Sequence, residues 1–139
     1  MHSIEVKYLG ELRCEGLHLS SNSTILSDAP TDNRGKGEAF SPTDLTCTSL
    51  AMCMMTLMGI AADEKSILLQ GVSARVTKTM GTEPRRIVGI KIEMHGNWEQ
   101  LADREFSIIK NAANTCPVAK SIHPDIQVDT VWVNNPSIT

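Results

Sequence analysis

The stretch that decides the fold is LTCTSLAMCMMTLMGIAA, residues 45–62, which contains no charged side chain. The residues before it carry the signals of a helix start. Ser41 can act as the cap, Pro42 suits the first helical position, and Asp44 stands three residues after Ser41, as in a capping box. The charged residues at 63–65 mark the end. The pattern therefore predicts one long helix from about residue 42 to about residue 65.

This helix is apolar on nearly every side, which is typical of a helix surrounded by protein. Its length also reaches the lower limit for a membrane span. However, the run contains several Ser and Thr residues and a Gly, and it lacks a basic flank, so a core helix is the better interpretation. A chain of 139 residues can bury a real core but can hardly enclose this helix completely. We therefore expect a homodimer that shares the core.

The rest of the chain alternates between strand and helix patterns. Strands are predicted at Ile4–Leu9, Leu12–Leu19, Thr24–Leu26, Gly71–Met80, Arg86–His95 and Ile126–Val133. Helices are predicted at Asn97–Ala113 and directly after Pro117. This order predicts one α+β domain over residues 1–139, with antiparallel sheets around a long buried central helix.

Composition excludes several classes of function. The net charge of −3 and the small number of aromatic residues (two Trp, two Phe and one Tyr) do not suit a nucleic-acid partner. The N-terminus lacks the layout of a secretory signal, and four cysteines are too few for a disulfide scaffold, so we expect a reducing cytoplasm. No metal site and no bound cofactor are expected, because no metal-ligand spacing and no glycine-rich phosphate loop occurs.

Two cysteines occupy contrasting positions and are plausible partners in redox chemistry. Cys53 lies in the apolar run, where burial disfavours the thiolate and a nearby cation would be needed to stabilise it. Cys116 precedes Pro117 at a helix entrance, where unpaired N–H groups favour a thiolate. The plain alternatives are a small core residue for Cys53 and a capping residue for Cys116.

The segments SPTDL (residues 41–45) and TCPV (residues 115–118), together with Cys53 and the final strand, resemble the OsmC/Ohr family. Members of this family include bacterial thiol peroxidases that reduce organic hydroperoxides. YLGELRC (residues 8–14) and DNRGKGE (residues 32–38) are similar to a bacterial subgroup of it. The resemblance runs from about Ile4 to Val133 and implies an OsmC-like intertwined α+β homodimer with active sites at the dimer interface.

The resemblance also implies roles for individual residues. Cys53 matches the peroxidatic cysteine, Cys116 the resolving cysteine, and Arg13 the arginine of the N-terminal hairpin that accompanies the first thiol. The family's glutamate is replaced, since its two known positions hold Thr43 and Asp44. Asp44 fits a capping acid better than a catalytic base, although a capping carboxylate could still anchor Arg13.

The first hypothesis is therefore a cytoplasmic homodimeric peroxidase that reduces organic hydroperoxides to alcohols. Its Cys53 sulfenate would be resolved by Cys116, and an external dithiol would be the reductant. A competing hypothesis is a non-enzymatic dimer of the same fold that binds an apolar small molecule or acts as a redox sensor. General disulfide exchange is a third and weaker one.

Overall fold

Helix α1, Pro42–Lys65, is the longest element of a computed structural model that describes residues 2–136. Its predicted capping box is present: Oγ of Ser41 accepts the N–H of Asp44 at 3.0 Å, and Oδ2 of Asp44 accepts the N–H of Ser41 at 3.0 Å. At the other end Ser66 adopts a left-handed conformation, with φ of 54°. The N–H of Ile67 then reaches the carbonyl of Ala62 at 2.9 Å, which closes the helix in a Schellman arrangement.

The chain divides into two compact units, Met1–Thr46 and Cys47–Thr139. The first contains an antiparallel three-stranded sheet in the order β1-β2-β3. Its strands are β1 (Ile4–Gly10), β2 (Arg13–His18) and β3 (Thr24–Asp28). All three were predicted at these places. The tight turn between β1 and β2 passes through positive φ at Gly10, Glu11 and Leu12.

The sheet of the second unit is mixed, with the order β4-β5-β6. Its strands are β4 (Ser73–Gly81), β5 (Arg86–Gly96) and β6 (Gln127–Asn134). The β4–β5 hairpin is antiparallel, as predicted, but β6 runs parallel to β5. The expectation of purely antiparallel sheets is wrong here, because the helices between β5 and β6 form a crossover that returns the chain in the same direction.

Helix α2, Asp103–Ala113, is shorter than the predicted helix from Asn97. A short 3₁₀ turn, Trp98–Gln100, comes first, and Leu101 then adopts an extended conformation. Oε1 of Glu105 accepts the N–H of Ala102 at 3.0 Å, so α2 starts from a new cap. The last helix, α3, comprises Pro117–Ser121.

The core of the second unit forms where one face of α1 packs with β5 and α2. Its members are all apolar and buried: Cys47, Leu50, Ala51, Met54, Met58, Ala62, Ile67, Ile90, Ile92, Met94, Trp98, Ile109, Ala113 and Cys116. The most apolar 18-residue window of α1 is only 33% buried, and Met52 and Ile60 are exposed. The length and composition of α1 would also suit a membrane span. The predicted burial of α1 therefore holds for one face within a single chain.

Candidate active site

Cys53 and Cys116 lie near each other in the second unit, and the Cys53 side chain influences the pKa of the Cys116 thiol. Cys116 immediately precedes Pro117, the first residue of α3. Its Sγ donates to the carbonyl of Leu50 at 3.9 Å, one helical turn before Cys53. Both cysteines are free thiols. The fold thus brings together two sulfurs that are 63 positions apart in the sequence.

The burial of the two thiols is the reverse of what the sequence predicts. Cys116 is fully buried, with 0% exposure, whereas Cys53 is only partly buried in the single chain. Burial, followed by the nearby Cys53 side chain, raises the pKa of Cys116. The backbone N–H groups of Ala119 and Val118 lower that pKa, as expected at a helix start, but their effect is smaller. The prediction that Cys116 ionises easily is therefore wrong, because desolvation outweighs the helix N–H groups.

Arg13 takes part in a ring of charges within the first unit. Its Nη2 pairs with Oε2 of Glu38 and lies 3.6 Å from Oδ2 of Asp28. Oδ2 of Asp28 also accepts the backbone N–H of Glu38 at 3.0 Å, which closes the ring. Arg13 and Asp28 are direct partners across the β2–β3 ladder. The hydrogen bond and the charge of Glu38 raise the pKa of Arg13, so the guanidinium is firmly cationic.

Glu38 and Asp28 are the two residues near Arg13 that the sequence analysis missed. The side chain of Asp28 is fully buried, and its Oδ1 has no partner within residues 2–136. Glu38 is 59% exposed and belongs to the polar loop that precedes α1. The register of the β2–β3 hairpin places Asp28 opposite Arg13, whereas a loop carboxylate such as Glu38 leaves no periodic signal in the sequence.

Asp44 lies at the start of α1, where it completes the capping box with Ser41. The interpretation of Asp44 as a capping acid is confirmed. Its direct role in catalysis stays a prediction, as does the action of Arg13 on Cys53. Over residues 2–136, no group of three His, Cys, Asp or Glu side chains is arranged to hold a metal ion.

The sequence model of the OsmC-like protein family matches residues 35–131 of this chain. The chain belongs to the OsmC-like family. Among curated proteins, none matches this OsmC-like sequence.

Crystal structures of other proteins support the same fold for this OsmC-like chain. A Psychrobacter arcticus 273-4 protein, provisionally named an osmotic stress induced and detoxification response protein, is 48% identical, with a TM-score of 0.87 over 97% of this chain and 96% of its own. An organic hydroperoxide resistance protein OsmC from Legionella pneumophila is 18% identical, with a TM-score of 0.73 over 96% of this chain and 98% of its own.

An organic hydroperoxide resistance protein from Elizabethkingia anophelis is 13% identical, with a TM-score of 0.73 over 97% of this chain and 98% of its own. At such low identity, the Legionella and Elizabethkingia proteins show that the OsmC-like fold is shared. The prediction of the family and of its α+β fold is confirmed.

Proposed function

We propose that this OsmC-like protein is a thiol-dependent peroxidase that reduces organic hydroperoxides to alcohols. The observation that carries the proposal is the proximity of a partly exposed Cys53 and a fully buried Cys116, whose Sγ donates to the carbonyl of Leu50 one helical turn before Cys53. In the single chain Cys53 is partly exposed, whereas the buried Cys116 is shielded from direct oxidation. The names of the Legionella and Elizabethkingia structures, which refer to organic hydroperoxide resistance, support the same substrate class.

The proposed reaction has three balanced steps. The Cys53 thiolate attacks the terminal oxygen of the hydroperoxide, the O–O bond breaks, and the alkoxide takes a proton to leave as the alcohol. Cys53 is then a sulfenic acid. Attack by Cys116 forms the Cys53–Cys116 disulfide and releases water, which carries the thiol proton and the hydroxyl oxygen. An external dithiol reduces the disulfide and is itself oxidised to a disulfide.

In this mechanism Arg13 stabilises the Cys53 thiolate and binds the peroxide oxygen, as the family resemblance implies. A guanidinium suits this task because it is permanently charged and offers several N–H donors in a fixed plane. Asp44 contributes through the capping box, which defines the first turn of α1.

The proposed working form is an intertwined homodimer. On β1 the alternating residues Ile4, Val6 and Tyr8 are 61%, 69% and 67% exposed, and they lie on one face of the strand. Ile25 on β3 is also exposed, as are Met52 and Ile60 on α1. Two apolar surfaces of this kind on one chain are typical of a protein–protein interface. A second copy of the chain would cover both apolar surfaces, because a homodimer interface is self-complementary.

The test measures consumption of cumene hydroperoxide with a dithiol as reductant. Cys53→Ser should abolish turnover, because no sulfenate can form. With dithiol in slight excess, Cys116→Ser should release one equivalent of alcohol and then stop turning over, because no second thiol is present to resolve the Cys53 sulfenate. Cys14→Ser is the matched control, since Cys14 is another partly buried free thiol outside the pair, and it should turn over as the wild type does.

Full turnover by Cys53→Ser would refute the proposal. A wild-type protein that leaves the hydroperoxide unreacted while both thiols stay reduced would favour the second hypothesis, a non-enzymatic dimer of the same fold.

A further inference from the structure

The guanidinium of Arg13 is held at one end. Both carboxylates of the ring, Glu38 and Asp28, meet the same nitrogen, Nη2. Nε is buried and unpartnered, and Nη1 donates no hydrogen bond to any residue between positions 2 and 136. Because the Arg13 side chain is 27% exposed, the two N–H groups of Nη1 are the donors left for an external acceptor.

The two carboxylates hold Nη2 in different ways. Asp28 is a fixed anchor, since its side chain is fully buried and β3 sets it opposite Arg13. The backbone N–H of Asp28 is itself bound to the carbonyl of Phe40 at 2.9 Å. Glu38 is an exposed arm from the loop, but its backbone is tied to Asp28 by the 3.0 Å hydrogen bond. Hydrogen bonds and strand pairing therefore link the loop and the two strands around the guanidinium.

We propose that Asp28 and Glu38 are positioning residues that fix Nη2 of Arg13, so that Nη1 is presented to the peroxide oxygen. The inference rests on the proposed function, in which Arg13 serves the peroxidase reaction. An arginine without such partners distributes over many rotamers, and ordering it at the moment of reaction costs free energy. The charge-assisted hydrogen bond to Glu38 and the ion pair with Asp28, formed in advance, reduce that cost and aim the remaining donors.

A simpler role for the ring would be to tie the loop to the sheet. The two roles differ in what they predict for catalysis. A purely structural ring affects unfolding only, whereas a positioning ring affects the reaction through Arg13 and in no other way. A double-mutant comparison with Arg13 separates them.

The experiment measures kcat/KM for cumene hydroperoxide and the rate of Cys53 alkylation by iodoacetamide as a function of pH. Glu38→Ala should lower kcat/KM about tenfold, the usual scale for one lost hydrogen bond to a charged group. Glu38→Gln keeps a hydrogen-bond acceptor on a side chain of the same length, so its kcat/KM should be close to that of the wild type. Glu11→Ala is the matched control: Glu11 is an exposed carboxylate in the preceding turn that pairs with Lys36, and its removal should leave kcat/KM unchanged.

The decisive comparison uses the background Arg13→Ala. There, Glu38→Ala should cause no further loss of kcat/KM, because a positioning residue has nothing left to position. Asp28→Asn should behave like Glu38→Ala, and thermal unfolding shows whether the variant is folded. Equal losses from Glu38→Ala with and without Arg13 would overturn the inference.

The outcomes also separate this inference from the proposed function. If Arg13→Ala is slow but Glu38→Ala and folded Asp28→Asn match the wild type, the positioning role is wrong and the peroxidase stands. If Arg13→Ala retains full kcat/KM, the role of Arg13 in the proposed function fails, and the positioning role fails with it.

Discussion

Oxidation of the thiol pair should stabilise the protein strongly, and the structure allows the size of the effect to be worked out. The perturbation is treatment of the reduced protein with one equivalent of cumene hydroperoxide in the absence of dithiol. Because Sγ of Cys116 lies against the carbonyl of Leu50, one helical turn before Cys53, we expect the disulfide to form with little movement of the backbone.

The cross-link would close a loop of about 64 residues in the unfolded chain, and the loop-entropy relation gives roughly 4 kcal/mol of stabilisation for a loop of that length. Local strain in the folded state would reduce this value. For a chain of 139 residues, the unfolding entropy converts the increment into a rise in Tm of roughly 14 °C.

The assay is thermal or urea unfolding of peroxide-treated and dithiol-treated protein at the same subunit concentration, since dimerisation contributes to apparent stability. Cys116→Ser is the internal control, because its Cys53 can be oxidised but cannot form the cross-link. The reasoning is refuted if the oxidised wild type unfolds at the same temperature as the reduced protein. It is also refuted if oxidised Cys116→Ser shows the same gain as the wild type.

Two other predictions address the buried thiol and the exposed sheet face. The folded-state pKa of Cys116 is raised above its ordinary value of 9.0, so folding favours the protonated thiol. The contribution of this thiol to the unfolding free energy is complete below pH 9.0 and is lost as the pH rises through the folded-state pKa. The unfolding free energy of reduced protein should thus decline on the alkaline side, and Cys116→Ala should flatten the decline in urea titrations across this range; an identical slope would contradict the prediction. Val6→Glu, which places a charge on the exposed apolar face of β1, should shift the protein from dimer to monomer in light scattering, while Lys7→Glu, on the other face of the strand, should not. An unchanged mass for Val6→Glu would exclude this face as the interface.

Local signals in the sequence predicted the elements of the fold well. The start of α1 follows from the capping residues at its N-terminus, and the six strands follow from alternating patterns between turn residues. These features depend on residues only a few positions apart, so they are encoded locally in the sequence. The predicted helix start at Asn97 was wrong, because the chain is extended at Leu101 and Ala102 and the helix begins only after the cap formed by Glu105. A glutamate at that position is also compatible with a continuous helix, so the sequence pattern does not reveal the break.

The chemistry of the candidate site was predicted only in part. The pairing of Cys53 with Cys116 was suggested by their settings and by the family resemblance, and the structure places Cys116 one helical turn from Cys53, at the carbonyl of Leu50. Which of them is buried could not be read from the flanking residues, because burial depends on what packs around a side chain rather than on its neighbours in the chain. The partners of Arg13 were missed for a similar reason, since strand register and a loop conformation bring Asp28 and Glu38 to it.

The sequence by itself determined the family and the long apolar helix with its capped start, and it predicted Cys53 and Cys116 as the candidate redox pair, because short-range patterns encode all of these. Only the tertiary structure decided that β6 runs parallel to β5, that Cys116 is the desolvated thiol, and that two carboxylates meet one nitrogen of Arg13. The physical reason is that strand direction, desolvation and ion pairing are energies of contacts between distant residues, and these contacts exist only once the chain has folded.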